Sequence, residues 1–174
     1  MNSNKVHFKQ ALKKQIWDIL LAPVSLLLVI VVLPFLILYG VWWLIDGLWL
    51  NYRFRSRYAS DGKYILFVYS ESPNWQEYIE ENIIPCIKTK AVLLNWSKRS
   101  EWKKRKPLEA KALLHWGGDS EFNPMAIIFV SGWKVQTIRF YQAFKDFKHG
   151  KSKLLREKEE ELYAYLEPNR EVRS

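Results

Sequence analysis

Residues 123–141 read NPMAIIFVSGWKVQTIRFY. Within them, residues 125–130 (MAIIFV) form an apolar run too short for an ordinary helix, and Asn123-Pro124 bounds it on one side. Such a run predicts a strand. Residues 134–141 (KVQTIRFY) predict a second, and Ser131-Gly132 between them suits a tight turn. The two therefore read as a β-hairpin.

Upstream, the turn signal Asp61-Gly62 precedes residues 63–69 (KYILFVY), a β-branched and aromatic run expected to be buried on both faces. Ser70-Glu71-Ser72-Pro73-Asn74 then forms a loop able to cap a helix over residues 75–87. In that helix Trp75, Tyr78, Ile79, Ile83, Cys86 and Ile87 make the apolar stripe, and Pro85 should kink or end it. Residues 90–96 (KAVLLNW) predict another strand. Pro107 suits the first position of a helix whose apolar face is Leu108, Ala112, Leu113 and Trp116, stopped by Gly117-Gly118. Downstream of residue 150 a last helix is expected over 152–166, buried through Leu155, Leu162 and Leu166. From Pro168 a disordered tail is expected. The order is β-α-β-α-β-β-α. Helical connections of a dozen residues or more favour parallel pairing of the first three strands, with the fourth antiparallel through its hairpin.

That order, with Asn123-Pro124, residues 125–129, Ser131-Gly132-Trp133 and Lys134-Val135, resembles the thioredoxin fold. The resemblance covers residues 63–166. It implies an α/β domain with a mixed four-stranded sheet and a cis Asn123–Pro124 bond. Thioredoxins carry CxxC where the first strand turns into the first helix, so that the helix terminus lowers the thiol pKa. Here that junction reads Ser70-Glu71-Ser72-Pro73-Asn74-Trp75 and contains no sulfur. No thiol–disulfide exchange by the family mechanism is expected. The lone cysteine, Cys86, allows no intramolecular disulfide, and its expected role is that of a small buried hydrophobe.

From residue 19 to residue 50 the chain is apolar, with Asp46 as its single charge. A bilayer span takes about 20 apolar residues, so this stretch reads as an uncleaved membrane anchor. It exceeds one span and falls short of two. Two arrangements stand: a single span followed by an interfacial stretch, or a hairpin of short helices hinged near Pro34. Trp42, Trp43, Trp49 and Tyr52 suit a headgroup-level aromatic belt, flanked by Arg53, Arg55 and Arg57. The expected division is a basic segment (1–18), the anchor (19–50), a basic linker (51–62), the folded domain (63–166) and a tail (167–174). Basic residues on both flanks leave orientation open, with a slight lean toward a cytoplasmic domain.

Of the net charge of +9, +7 falls after residue 50. Its densest part is Lys98, Arg99, Lys103, Lys104, Arg105 and Lys106, with Trp96 and Trp102 interleaved. Anionic headgroups attract such residues by about 1 kcal/mol each. An ordinary solvated loop explains them as well, and single-stranded nucleic acid is the weakest candidate. No Walker A, GxGxxG, HExxH or EF-hand pattern occurs, so no cofactor or metal is implied. A serine nucleophile at Ser70 or Ser72 would need a base, and no motif ties His7, His115 or His149 to it.

The functional expectation is a membrane-anchored, non-redox, thioredoxin-like binding domain. It would dock a partner protein or anionic lipid through Ser70, Glu71, Ser72, Asn74, Trp75, Asn123 and Pro124 and through the basic run. The alternatives are a membrane-surface enzyme acting on a phosphate-bearing or lipid-linked substrate, and a membrane-tethered nucleic-acid binder. Phe140, Tyr141, Phe144 and Phe147, along and after the edge strand, form a further possible partner surface.

Overall fold

The structure is a computed structural model that describes residues 3–102, 104, 106–118, 123–130 and 133–166, with side chains from residue 28 onward. In chain order the elements are α1 (Ser3–Tyr58), β1 (Ile65–Tyr69), α2 (Gln76–Tyr78), a π turn (Ile79–Ile83) and α3 (Ile84–Ile87). There follow β2 (Ala91–Asn95), a 3-10 turn (Trp96–Lys98), α4 (Arg99–Trp102), α5 (Leu108–Trp116), β3 (Met125–Phe129), β4 (Val135–Arg139), α6 (Tyr141–Lys148) and α7 (Lys153–Tyr163). The chain divides into two compact units, Met1–Asp46 and Gly47–Ser174.

In the first unit α1 is one apolar helix near the N-terminus, long enough to cross a membrane, with its large apolar side chains from Leu28 to Ile45 exposed. It runs unbroken past Pro34, so the pair of short helices hinged there is not formed. Proline removes one hydrogen bond at this point, and the helix continues on both sides of it.

The second unit is a mixed α/β domain around a four-stranded sheet of order β2-β1-β3-β4. β1 and β2 are parallel, β1 and β3 antiparallel, and β3 and β4 antiparallel. The expected parallel alignment of the third strand is therefore corrected. A long connection permits a parallel crossover without enforcing one. α5 begins near Tyr58, whose hydroxyl bonds Glu109, and runs back to the end of the sheet where β2 finished, so β3 starts there and returns. The central strands β1 and β3 are buried on both faces, which is why their sequences are continuous apolar runs.

One face packs Phe67, Ile65, Ala126 and Ile128 against Ile79, Ile83, Ile87, Phe144, Leu155 and Leu162. The opposite face packs Leu66, Val68, Ile127 and Phe129 against Leu108, Leu113 and the last turns of α1. Residues 51–58, expected as the start of a basic linker, are helical, and Phe54 stacks on Phe129 at a centroid distance of 4.0 Å. Each such fully buried side chain contributes about 1.5–3 kcal/mol of transfer free energy.

The helix expected over residues 75–87 carries a π turn directly before Pro85, whose ring would collide with a carbonyl one turn back. The wider turn absorbs the proline without ending the helix. It also spaces the buried isoleucines four apart, at 79, 83 and 87, and this rotates Cys86 outward. Cys86 is exposed rather than buried. Phe140, Tyr141, Phe144 and Phe147 do not continue an edge strand; Tyr141 opens α6, with Phe144 buried and Phe147 at the surface. Pro107 occupies the N-cap position of α5 rather than its first turn. The Asn123–Pro124 bond is cis. The turn at Ser131-Gly132 and the tail from residue 167 lie outside the described residues.

Candidate functional site

Because β1 and β2 run one way and β3 the other, three chain junctions meet at one end of the sheet. Tyr69 is in register with Asn95, and Val68 with Met125. Residues 70–75, the turn after Asn95 and the Asn123-Pro124 segment therefore share that end, as the sequence reading expected of the first and third.

The turn is bound to the 70–75 loop by a closed set of hydrogen bonds. The Glu71 N–H donates to Ser97 Oγ at 2.9 Å, Asn95 Nδ2 donates to Glu71 Oε1 at 2.8 Å, and the Ser97 N–H donates to Asn95 Oδ1 at 2.9 Å. Asn95 and Ser97 thus belong to the site although nothing local in the sequence marks them. Helix capping by Ser70 or Ser72 hydroxyls is not observed. The Ser72 carbonyl accepts from the N–H groups of Trp75 (3.1 Å) and Gln76 (2.9 Å), while the Ser70 hydroxyl accepts from the Trp75 indole at 3.3 Å. Asn74 reaches back to Ser72 Oγ. Asn123 and Pro124 are buried, and the Pro124 carbonyl accepts from the Phe140 N–H at 2.9 Å.

Trp75 packs edge-on to Tyr141 and lies 6.1 Å from Phe144; Tyr78 contacts Phe144 and, at 5.2 Å, Phe147. Burial, and then a hydrogen bond to the Glu159 carboxylate, pushes the Tyr78 hydroxyl up to about 12. Glu159 itself is raised by burial, against the opposing effects of the Tyr78 hydrogen bond and Arg156. Tyr163 is raised by burial and then by the charges of Cys86 and Glu159. Tyr69 is raised by burial, then by Glu80 and Glu71. The three tyrosine hydroxyls therefore hold their protons at neutral pH and do not act as bases.

Among the described residues neither His115 nor His149 is hydrogen-bonded to Ser70 or Ser72. His115 lies in α5, on the other face of the sheet, against Trp116, and His149 caps the carboxyl end of α6. Cys86 Sγ donates to the Asn82 carbonyl at 3.3 Å, near the far end of its helix. Among the described residues no group of three or more His, Cys, Asp or Glu is arranged to hold a metal.

The basic run divides by surroundings. Lys98, Arg99, Lys104 and Lys106 are exposed, with Arg99 over the Trp96 ring at 5.5 Å. Trp96 and Trp102 are half-buried against the core 5.6 Å apart, and the Trp102 indole donates to the Asn95 carbonyl at 3.4 Å. Both tryptophans are committed to the fold. Lys103 and Arg105 lie outside the described residues. On α1, Trp42, Trp43, Trp49, Tyr52, Arg53 and Arg57 are exposed, Arg53 covering Trp49 at 4.6 Å, whereas Arg55 donates to the Val130 carbonyl at 3.0 Å.

The last turns of α1 fix where the chain enters this unit. The Tyr58 carbonyl accepts from the N–H groups of Asp61 and Lys63, so residues 47–58 descend the sheet and β1 climbs back beside them. From Tyr58 the helix rises about 16 Å back to Gly47, and from Lys63 the strand rises about 20 Å to Tyr69, so both run to the same end of the sheet. Consistently, a Cβ at Gly47 would stand 2.6 Å from Nε2 of His115, two residues before Gly117, which approaches Met125. The entry point and the three junctions occupy the same end of the domain. Compared with known proteins, the chain matches no protein-family model, no curated protein and no solved structure.

Proposed function

We propose that this chain is a membrane-anchored, non-redox binding protein whose thioredoxin-like domain docks a partner protein at the bilayer surface. The observation that carries the reading is that Gly47 packs against His115 of α5, close before Gly117, which approaches Met125 at the end of the sheet that also holds the 70–75 loop and the Asn123-Pro124 edge. A site at the end of the domain where the anchor joins it is well placed to meet partners held at the membrane. Two further features support the fold assignment: the strand order β2-β1-β3-β4 and the cis bond ahead of β3. The helix through residues 28–46 supplies a single-pass anchor, with Trp42, Trp43, Trp49 and Tyr52 as its aromatic belt. Exposed Lys98 and Arg99, just beyond Ser97, face anionic headgroups as auxiliary contacts. The loop offers backbone and polar side chains held rigidly by Glu71, Asn95 and Ser97, a surface suited to recognition.

The test places a photo-crosslinking side chain at Asn74 or at Ser60, in the turn at the opposite end of the sheet, in membranes of the native cell. A discrete adduct to a membrane-associated protein is expected from position 74 and not from position 60. Equal labelling from both positions, or release of the chain by alkaline carbonate, would overturn the proposal.

A further inference from the structure

Beside the loop, at the start of the helical segment 76–87, a cleft of about 260 Å³ opens to solvent. Its walls are the rings of Trp75, Tyr78 and Phe147, and its rim carries Glu77, Glu81 and Asn82. Three aromatic side chains meeting at the surface is an unusual use of apolar area in a domain whose core holds the neighbouring Phe140 and Phe144 completely. The Tyr78 hydroxyl is engaged by Glu159, which leaves the ring itself to line the cleft.

The two rim carboxylates stand four residues apart across the π turn, which stacks positions i and i+4 nearly in line. Like charges at this spacing repel. Among the described residues neither Glu77 nor Glu81 has a hydrogen-bond or ion-pair partner, although the chain carries a surplus of nine positive charges. A cation in the cleft would relieve that repulsion and lie against π faces, whose quadrupole attracts it. Phosphate and carboxylate ligands are disfavoured by the same two groups.

We propose that this cleft binds the arginine or lysine side chain of a partner protein's basic segment. The claim deepens the docking function above, on which it rests for the partner's location. Basic segments flank membrane spans, so proteins within reach of the anchor present this chemistry. Charge complementarity selects the cation, and the aromatic walls select an apolar stem or a planar guanidinium beside it.

The probe is a fluorescent five-residue peptide with two arginines between leucines, added to the full chain in a non-ionic detergent. Its counterpart replaces both arginines by citrulline, which keeps the shape and removes the charge. Saturable anisotropy with the arginine peptide is expected, together with a shift of the Trp75 indole N–H resonance. The citrulline peptide should bind about tenfold more weakly, and Glu77→Gln/Glu81→Gln should weaken arginine binding by a similar factor. Both glutamates are exposed, so the unfolding curve of the double variant serves as the control for folding. Citrulline binding within twofold of arginine, or unchanged affinity in the double variant, would sink the proposal. So would a dimer of the chain that dissociates in that variant, since the cleft's occupant would then be a second copy. The assay contains no bilayer, so loss of cation binding and failure of membrane attachment are read separately.

Discussion

Residues 28–46 and residues 47–58 belong to one helix and meet opposite surroundings. In the first stretch Leu28, Ile30, Phe35, Leu38 and Trp42 are 59–69% exposed; in the second Leu50 and Phe54 are buried in the core of the α/β unit. The backbone geometry is common to both, so the difference lies in how the side chains are distributed. The first stretch is apolar on every side, which suits a lipid solvent. The second places Gly47, Leu50, Asn51, Phe54 and Tyr58 along one stripe and Trp49, Tyr52, Arg53 and Arg57 on the other side. Periodicity, more than hydrophobicity, separates the part proposed to meet lipid from the part that meets protein.

Four experiments break or sharpen that contrast. The largest effect is expected from Leu33→Arg/Leu36→Arg, each arginine costing about 2.5–3.5 kcal/mol at the centre of a span. Carbonate extraction should release the variant, while the unfolding transition of the α/β unit stays in place. Retention in the membrane pellet would refute a span through these residues. Next is Phe54→Ala, which removes the ring stacked on Phe129 and should cost about 3–5 kcal/mol in denaturant unfolding, whereas Phe35→Ala should leave the transition unmoved. Equal effects of the two would erase the distinction.

A gain is expected from Asn51→Leu. Asn51 is 2% exposed and, among the described residues, neither polar atom of its side chain has a hydrogen-bond partner, so an apolar residue of similar volume should stabilise the unit by about 1 kcal/mol. A lower melting temperature would show that the amide has a role in the fold. The smallest effect lies on the other face of the sheet, remote from the helix. Glu159 holds its proton more tightly when folded than its ordinary value of 4.5 implies, because burial penalises the carboxylate. Its contribution is complete below that value and is lost as pH rises through the folded pKa. The denaturation midpoint between pH 4 and 7 should therefore fall with pH in the parent chain more than in Glu159→Gln. Identical profiles would remove Glu159 as the source.

The strands were legible because each is a short apolar run set off by turn residues, and the cis proline was legible through the resemblance carried by residues 123–135. The direction of β3 was not, because connection length leaves it free and it depends on where α5 packs, a placement made with residues as distant in sequence as Tyr58 and Glu109, 51 positions apart. α6 was hidden by Ile138-Arg139-Phe140-Tyr141, whose β-formers read as one strand until Phe144 and Phe147 are counted at helical spacing. Cys86 was misplaced because a π turn changes which face a residue occupies, and no pattern announces one. At the site, residues 70–75 were found from strand-to-helix grammar, while Ser97 was missed because its role depends on Glu71, 26 positions earlier.

The burial of Phe54 has a consequence for the order of events during synthesis. Arg55 bonds to Val130, 75 residues further along, and Phe54 waits for the adjacent Phe129. By the time those residues leave the ribosome, the whole of the helix has long been synthesised. The newborn chain must therefore hold the Leu50–Phe54 stripe clear of other apolar surfaces until its own sheet arrives.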